Sequence, residues 1–426
     1  MGATLVEKII ARAAGVDRVS PGDIVTCRVD LAMMHDSGGP RRVQPLLDRL
    51  GRGIWDPERV VVISDHYVPA VDAESAAILD GTRKWVARHG VRHFHDMQGI
   101  CHVVLPERGH LRPGMFVVGG DSHSPTGGAF GCFMFGIGAT DMAGVLVTGE
   151  TWVTVPGTIR LDWHGTLPAG VCAKDMMLHL CAQLGMGGAA HQVVQFGGHT
   201  VDTLPMQERM TLSNMAAELG AQCGLIEADE TTVDYIRAAG GDPGDPDVWR
   251  GDDDAPVTAQ HRFDASTLAP QVAAPHSPAN AGEVGIHEGT QVHQAYIGAC
   301  TGAKLADLHM AAAVLTGQRV ARGVRLLLAP ASTQTTLAAA RDGTLTTLTE
   351  AGAIVMASGC GACAGYGAGV LAEDEVCISS TARNFRGRMG APTSRVYLAS
   401  PYTVAASAVT GRITDPRGLL NPVAES

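Results

Sequence analysis

Alternating apolar runs and helical stretches predict an α/β protein built on parallel sheets. Three observations carry this. Unbroken runs of four to six apolar residues recur along the chain, as in strands buried on both faces. Segments with helical spacing lie between them. Several runs end abruptly in Asp, His, Ser or Cys, and in open α/β sheets ligands sit outside the carboxyl ends of strands. One shared site is therefore expected.

The chain opens on a helix. Thr4-Leu-Val-Glu7 fits a capping box, Leu5, Val6, Ile9, Ile10 and Ala13 keep helical spacing, and Gly15 fits a C-terminal cap. The apolar runs then follow in Arg59–His66, Met115–His123, Ala353–Cys360, Glu375–Ser380 and Arg395–Ser400. Ser332–Ala340 and Pro401–Gly411 read as helices. Gly127–Val147 is apolar enough to suggest a membrane span, but Asp141 and its glycines make it buried loop and helix. A new strand pattern opens after Glu150, at Thr151–Arg160, and Gly240–Glu288, rich in Asp, Pro and Ala, reads as a surface linker. Three α/β domains are expected, over residues 1–150, 151–268 and 269–426.

The 426 residues are 45% hydrophobic and carry a net charge of −11, which argues against nucleic acid as the main partner. Ten cysteines in a chain of this length are not a disulfide framework. Cys27, Cys132, Cys172, Cys181, Cys223 and Cys377 read as small buried apolar residues. No signal peptide precedes the first helix, so a cytoplasmic protein without a membrane anchor is expected.

Cys300, Cys360 and Cys363 differ from the rest. They lie in Tyr296-Ile-Gly-Ala-Cys-Thr-Gly302 and Ser358-Gly-Cys-Gly-Ala-Cys-Ala-Gly365, among glycines that let backbone amides approach closely. Spacing alone leaves an iron–sulfur cluster, a redox pair and half of a zinc site open. A cubane cluster usually takes four thiolates, so a set of three would leave one iron able to act as a Lewis acid. Asp65-His66 pairs a carboxylate with an imidazole, and Asp121-Ser122-His123 repeats the theme, with His102 between them. Each of these histidines, taken alone, also reads as a satisfied polar group in a loop. His35, in Met34-His-Asp36, follows an apolar run and is flagged with them. Arg383 and Arg388 bracket Asn384-Phe385, and arginine grips carboxylate through paired hydrogen bonds.

These blocks together resemble the aconitase superfamily, and within it the large subunit of the isopropylmalate isomerase type. The matching segments are Val62-Ile-Ser-Asp-His66, Gly99-Ile-Cys-His-Val-Val-Leu-Pro-Glu107, Gly120-Asp-Ser-His123, Ala129-Phe-Gly131 through Phe135-Gly-Ile-Gly138, Tyr296-Ile-Gly-Ala-Cys-Thr301, Ser358-Gly-Cys-Gly-Ala-Cys363 and Arg383-Asn-Phe-Arg-Gly-Arg388, in order along nearly the whole chain. The resemblance implies three α/β domains around a [4Fe–4S] cluster on Cys300, Cys360 and Cys363, with one iron free of cysteine. It implies that Asp65-His66 protonates a leaving hydroxyl, that His102, Asp121, Ser122 and His123 ring the open iron, and that Arg383 and Arg388 clamp a dicarboxylate. The family's swivelling domain has no room after Arg412, so a small partner subunit is expected to supply it, with the serine base. The implied activity is dehydration and rehydration of 3-isopropylmalate or a related alkylmalate. A hydratase of dimethylmalate, citraconate or maleate type, a homoaconitate enzyme and a non-catalytic iron or oxygen sensor are the alternatives.

Three positions depart from the family pattern. Gln195 stands where the family's acidic residue near the iron is expected, so it is taken as substrate-binding without proton exchange. Gly302 and Ala382 stand where the family carries asparagine. These departures are expected to mark a specialised substrate or a lost activity.

Overall fold

The computed structural model describes residues 2–420 and divides them into two compact units. The first comprises the chain up to Met97, Cys101–His164 and Gly187–Phe263; the second comprises Gln98–Ile100, Gly165–Met186 and the chain from Asp264.

In the first unit, helix Leu5–Ala14 forms as the sequence requires. Thr4 Oγ1 accepts the Glu7 amide, Glu7 accepts the Thr4 amide at 2.6 Å, and Gly15 closes the helix at φ +69°. The central sheet has five strands in the spatial order His93–Asp96, Val60–Ser64, Leu31–His35, Phe116–Gly119 and Phe133–Gly136. All are parallel. Val60–Ser64 and Leu31–His35 are buried throughout, which is why they read as continuous apolar runs. Strand order reverses between Leu31–His35 and Phe116–Gly119, so a crevice is expected at their carboxyl ends. The strand Phe133–Gly136 corrects the expectation of only loop and helix across Gly127–Val147. Its four residues lie between glycine-rich turns, too short to show a period.

A second sheet in this unit carries Cys223–Leu225, Val193–Gly197, Thr158–His164 and Ala259–Asp264. It joins the first region by a close backbone approach: a Cβ on Gly128 would stand 1.9 Å from the Gly224 carbonyl oxygen. Gly144, inside helix Ala139–Thr148, has nothing within 4 Å of such an atom. Gly128→Ala should therefore lower stability by about 1–3 kcal/mol through overpacking. Gly144→Ala should leave it unchanged or raise it by about 0.5–1 kcal/mol. Equal urea midpoints for the two variants would contradict this packing.

The second unit is built on seven strands in the order Ala281–Glu283, Gln271–Ala273, Arg395–Ala399, Val376–Ser379, Gln294–Ile297, Arg325–Leu328 and Ile354–Val355. The last five run parallel. Strand order again reverses, here between Gln294–Ile297 and Val376–Ser379. Two expectations are corrected. Ile354 and Val355 are not a buried strand but a two-residue edge, 51% and 43% exposed. The segment Gly240–Glu288 is not linker throughout: it supplies the strands Ala259–Asp264, Gln271–Ala273 and Ala281–Glu283. Gln271–Ala273 is wholly buried and pairs antiparallel with both neighbours, and its Gln271 amide donates to Asp175 at 2.8 Å. Strands of three residues between prolines leave no periodic trace. As to the domain expectation, residues 31–136, 158–264 and 271–399 carry separate sheets, and the first two of these share one unit.

Candidate active site

The polar residues of the first unit gather at the carboxyl ends of its five-stranded sheet. His35 ends Leu31–His35 and Asp36 follows it, Asp65-His66 follows Val60–Ser64, and Asp121 follows Phe116–Gly119. Asp36 is fully buried and accepts three amides, those of Asp65, His66 and Tyr67, at 3.2, 3.0 and 2.9 Å. This carboxylate fixes the turn that presents His66.

His66 Nδ1 lies 2.6 Å from Asp65 Oδ1, while Asp65 Oδ2 accepts the Cys101 amide at 2.7 Å. Burial would raise the Asp65 pKa, but the charge and hydrogen bond of His66 carry it well below the ordinary carboxylate range. An ionised Asp65 keeps the proton on Nδ1 and leaves Nε2 to exchange protons. The His35 ring stacks on His66 at 4.2 Å. His35 Nε2 donates to the Gly120 carbonyl at 3.0 Å and Nδ1 accepts the Gly38 amide. Burial, with His66 adding, lowers its pKa to about 4, so His35 is a neutral neighbour.

His102, on helix Cys101–Glu107, places Nε2 at 2.8 Å from Asp121 Oδ1, which also accepts the His123 amide at 2.7 Å. Burial would raise the Asp121 pKa, and the His102 and His123 hydrogen bonds override it and hold it well below normal. His102 Nδ1 is buried and has no hydrogen-bond partner among the described residues. The donor atoms of His102, Asp121 and His123 all lie within 4.8 Å of one another. Ser122, expected with them, is exposed, between half-buried Asp121 and buried His123.

The acidic group beside these histidines is Glu218. It is fully buried, and its Oε1 lies 3.3 Å from His123 Nε2. Gln195 instead donates to Glu227 Oε1 at 3.1 Å, an oxygen that also accepts the Gly251 amide. The carboxylate that reaches His123 is therefore that of Glu218, and the Gln195 amide is engaged with Glu227. The signal was present: Asn214 and Glu218 are polar residues among Leu212, Met215, Ala216 and Leu219, all buried.

In the second unit, both cysteine motifs and the arginine loop leave strands of one sheet at the same end. Cys300 follows Gln294–Ile297, the segment of Cys360 and Cys363 follows Ile354–Val355, and Ser380–Arg388 follows Val376–Ser379. The three cysteines form no disulfide; Cys300 and Cys363 are buried and Cys360 is half-buried. Cys360 caps the short turn Gly361–Ala364, and the Cys363 amide donates to the Cys360 carbonyl at 3.1 Å. Gly361 and Gly365 take φ +48° and +75°, and Ala299 takes +68° although it is not glycine. A strained residue directly before Cys300 marks a segment held by its surroundings. The chemistry fits an iron–sulfur cluster: thiols on left-handed, glycine-rich turns, with the proton of the buried Tyr296 hydroxyl lacking an acceptor among the described residues.

The arginine loop is fixed from beneath. Buried Lys174 donates to the carbonyls of Thr381 and Ser380 at 2.6 and 3.3 Å. Asn384 donates to the Ala274 and Val396 carbonyls at 2.8 and 3.0 Å. Arg383 and Arg388 are half-buried, while Arg386 is exposed. Gly302 has a local reason: a Cβ there would stand 2.2 Å from Ser380 Oγ. That oxygen accepts the Gly298 amide at 3.0 Å, so Ser380 occupies the space an asparagine stem would need. Ala382 is buried, and nothing in its surroundings explains why it replaces asparagine.

Two doubly wound sheets, one ending in histidine–carboxylate pairs and the other in three thiols and an arginine loop, define the class. A sequence profile of the aconitase family (aconitate hydratase) matches residues 7–288 and 280–411. The chain belongs to the aconitase family. It is similar to 3-isopropylmalate dehydratase large subunit 1 of Methanopyrus kandleri, 46% identical over 99% of this chain and 100% of that one. It is also similar to the probable methanogen homoaconitase large subunit of Methanothermobacter thermautotrophicus, 45% identical over 97% of each. Among solved structures, Thermococcus kodakaraensis aconitase X shares the fold, with a TM-score of 0.50 and 12% identity over 89% of each chain. No helix among the described residues is long and apolar enough to cross a membrane.

Proposed function

We propose that this chain is the large subunit of an iron–sulfur hydro-lyase that dehydrates and rehydrates a small 2-hydroxy dicarboxylate, 3-isopropylmalate or a close alkylmalate. One observation carries the reading: three thiols and a loop bearing Arg383 and Arg388 emerge from the same end of one sheet. Cys300, Cys360 and Cys363 would hold the [4Fe–4S] group, which when bound would supply a Lewis acid at an iron without a cysteine ligand. Arg383 and Arg388 bind the carboxylates and fix the diacid in place. His66 Nε2 gives its proton to the departing hydroxyl, which leaves as water, and Asp65 stabilises the imidazole while it is charged. His102, Asp121 and His123, with Glu218 behind them, form a second proton-exchanging set. The carbon-bound proton goes to a serine of a separate small subunit, the family's swivelling domain. A reducing compartment, the cytoplasm, suits such a cluster.

The relatives named for isopropylmalate and for homoaconitate differ by one per cent in identity, 46% against 45%, so overall identity does not choose the side chain of the diacid. The proposed substrate is 3-isopropylmalate. The test is anaerobic assay of the cluster-loaded chain with and without its small subunit, following the ultraviolet absorbance of the unsaturated acid. Turnover should require both chains and should favour isopropylmalate over homocitrate, dimethylmalate and citraconate. Full turnover by the single chain would place the base within it, and a preference for homocitrate would replace the substrate.

A further inference from the structure

Tyr296 lies in strand Gln294–Ile297, four residues before Cys300, and is only 1% exposed. Buried tyrosine hydroxyls nearly always find a partner. The Cys363 amide reaches Tyr296 Oη, but the hydroxyl proton has no acceptor among the described residues. Its surroundings are specific. A Cβ on Gly298 would stand 2.7 Å from Oη, and a Cβ on Gly361 would stand 3.5 Å from it. Gly298 lies two residues before Cys300, and Gly361 directly follows Cys360. The hydroxyl is therefore set against both cysteine-bearing segments of this unit. Cys363 and Cys360 both act on it electrostatically, although burial is the larger influence. Glycine at 298 is what lets the ring occupy this place, since a side chain there would meet ring carbon at 2.2 Å. A phenol with an ordinary pKa of about 10 carries its proton at physiological pH, so it is a donor in need of an acceptor.

We propose that Tyr296 donates a hydrogen bond to a sulfur of the cluster held by Cys300, Cys360 and Cys363, and thereby sets its reduction potential. This rests on the cluster reading above. Tyr296 is a positioning and tuning residue, not a catalytic one. Cluster sulfur carries negative charge that grows on reduction. A donated proton stabilises the reduced form more than the oxidised form, so it raises the potential. It also offers an account of why a hydroxyl is kept where phenylalanine would fill the same volume.

The experiment uses the chain with its cluster reconstituted anaerobically, in complex with the small subunit. Tyr296→Phe keeps the ring and removes the hydroxyl. Iron and sulfide should equal those of the parent. The reduction equilibrium should fall on the order of tenfold, which for one electron is about 59 mV. Iron–sulfur stretching bands of the parent should shift in deuterated water, and those of the variant should shift less. An unchanged potential with an unchanged deuterium effect would overturn the proposal. Should Tyr296→Phe fail to hold the cluster, 3-fluorotyrosine at position 296 keeps the shape with a more acidic hydroxyl. It should move the potential upward, and no movement would overturn the proposal. A parent chain that takes up no iron and sulfide would instead overturn the cluster reading, and this proposal with it.

Discussion

Replacing Cys300, Cys360 or Cys363 singly with Ser should abolish cluster assembly and bring activity of the complex to the assay background. A serine hydroxyl does not ionise as a thiol does, and the thiolate is the ligand. The controls are as important as the variants. Cys27 and Cys377 are fully buried in strands, and burial raises the Cys27 thiol pKa to about 11. They behave as small apolar residues. Cys27→Ala and Cys377→Ala should lose some stability yet retain full iron and sulfide. Iron, acid-labile sulfide and visible absorbance after anaerobic reconstitution provide the readout. A Cys300→Ser chain with full cluster content would remove Cys300 from the ligand set, and equal losses in Cys377→Ala would show that the assay reports folding.

What was legible in the sequence follows the physics of each feature. Parallel strands buried on both faces announce themselves as continuous apolar runs, and Val60–Ser64, Phe116–Gly119, Val376–Ser379 and Arg395–Ala399 were visible for that reason. Ile354–Val355 was misread because composition does not distinguish an edge from a centre. Gln271–Ala273 was hidden because its burial is decided by neighbours remote in sequence, among them Asp175. The site divides the same way. Asp65 and His66 are adjacent, so their pairing could be read directly. Glu218 reaches His123 across 95 positions, and no local pattern reports such a pair. Lys174 braces a loop 207 positions away, and its burial was equally invisible. The neighbours of Gly302 and of the His123 imidazole could not be read from local pattern either. Ser380 fills the space beside Gly302, and Glu218 places a buried carboxylate against His123.

His66→Gln should lower turnover by about 10²–10⁴-fold with little change in KM, the range expected for losing a general acid. Glutamine retains hydrogen-bonding ability but has no proton to give at neutral pH. The geometry singles out His66 rather than its stacked neighbour. Asp65 holds His66 Nδ1 at 2.6 Å and is itself held by the Cys101 amide, so the imidazole is oriented and its charged form stabilised. His35, with a pKa of about 4, is neutral at physiological pH and has no proton to spare once Nε2 donates to Gly120. Arg388→Lys should show the opposite division. A bidentate charged hydrogen bond is worth roughly 1.5–3 kcal/mol, so losing the fork should raise KM on the order of 10–100-fold. Turnover should change much less, because lysine keeps the charge. Both variants are to be compared in the assembled complex at equal iron and sulfide content, since an unequal cluster load would lower turnover in either. If His66→Gln leaves turnover untouched while Arg388→Lys prevents cluster assembly, the two roles are wrong together: the imidazole would be structural, and the arginine would belong to the cluster.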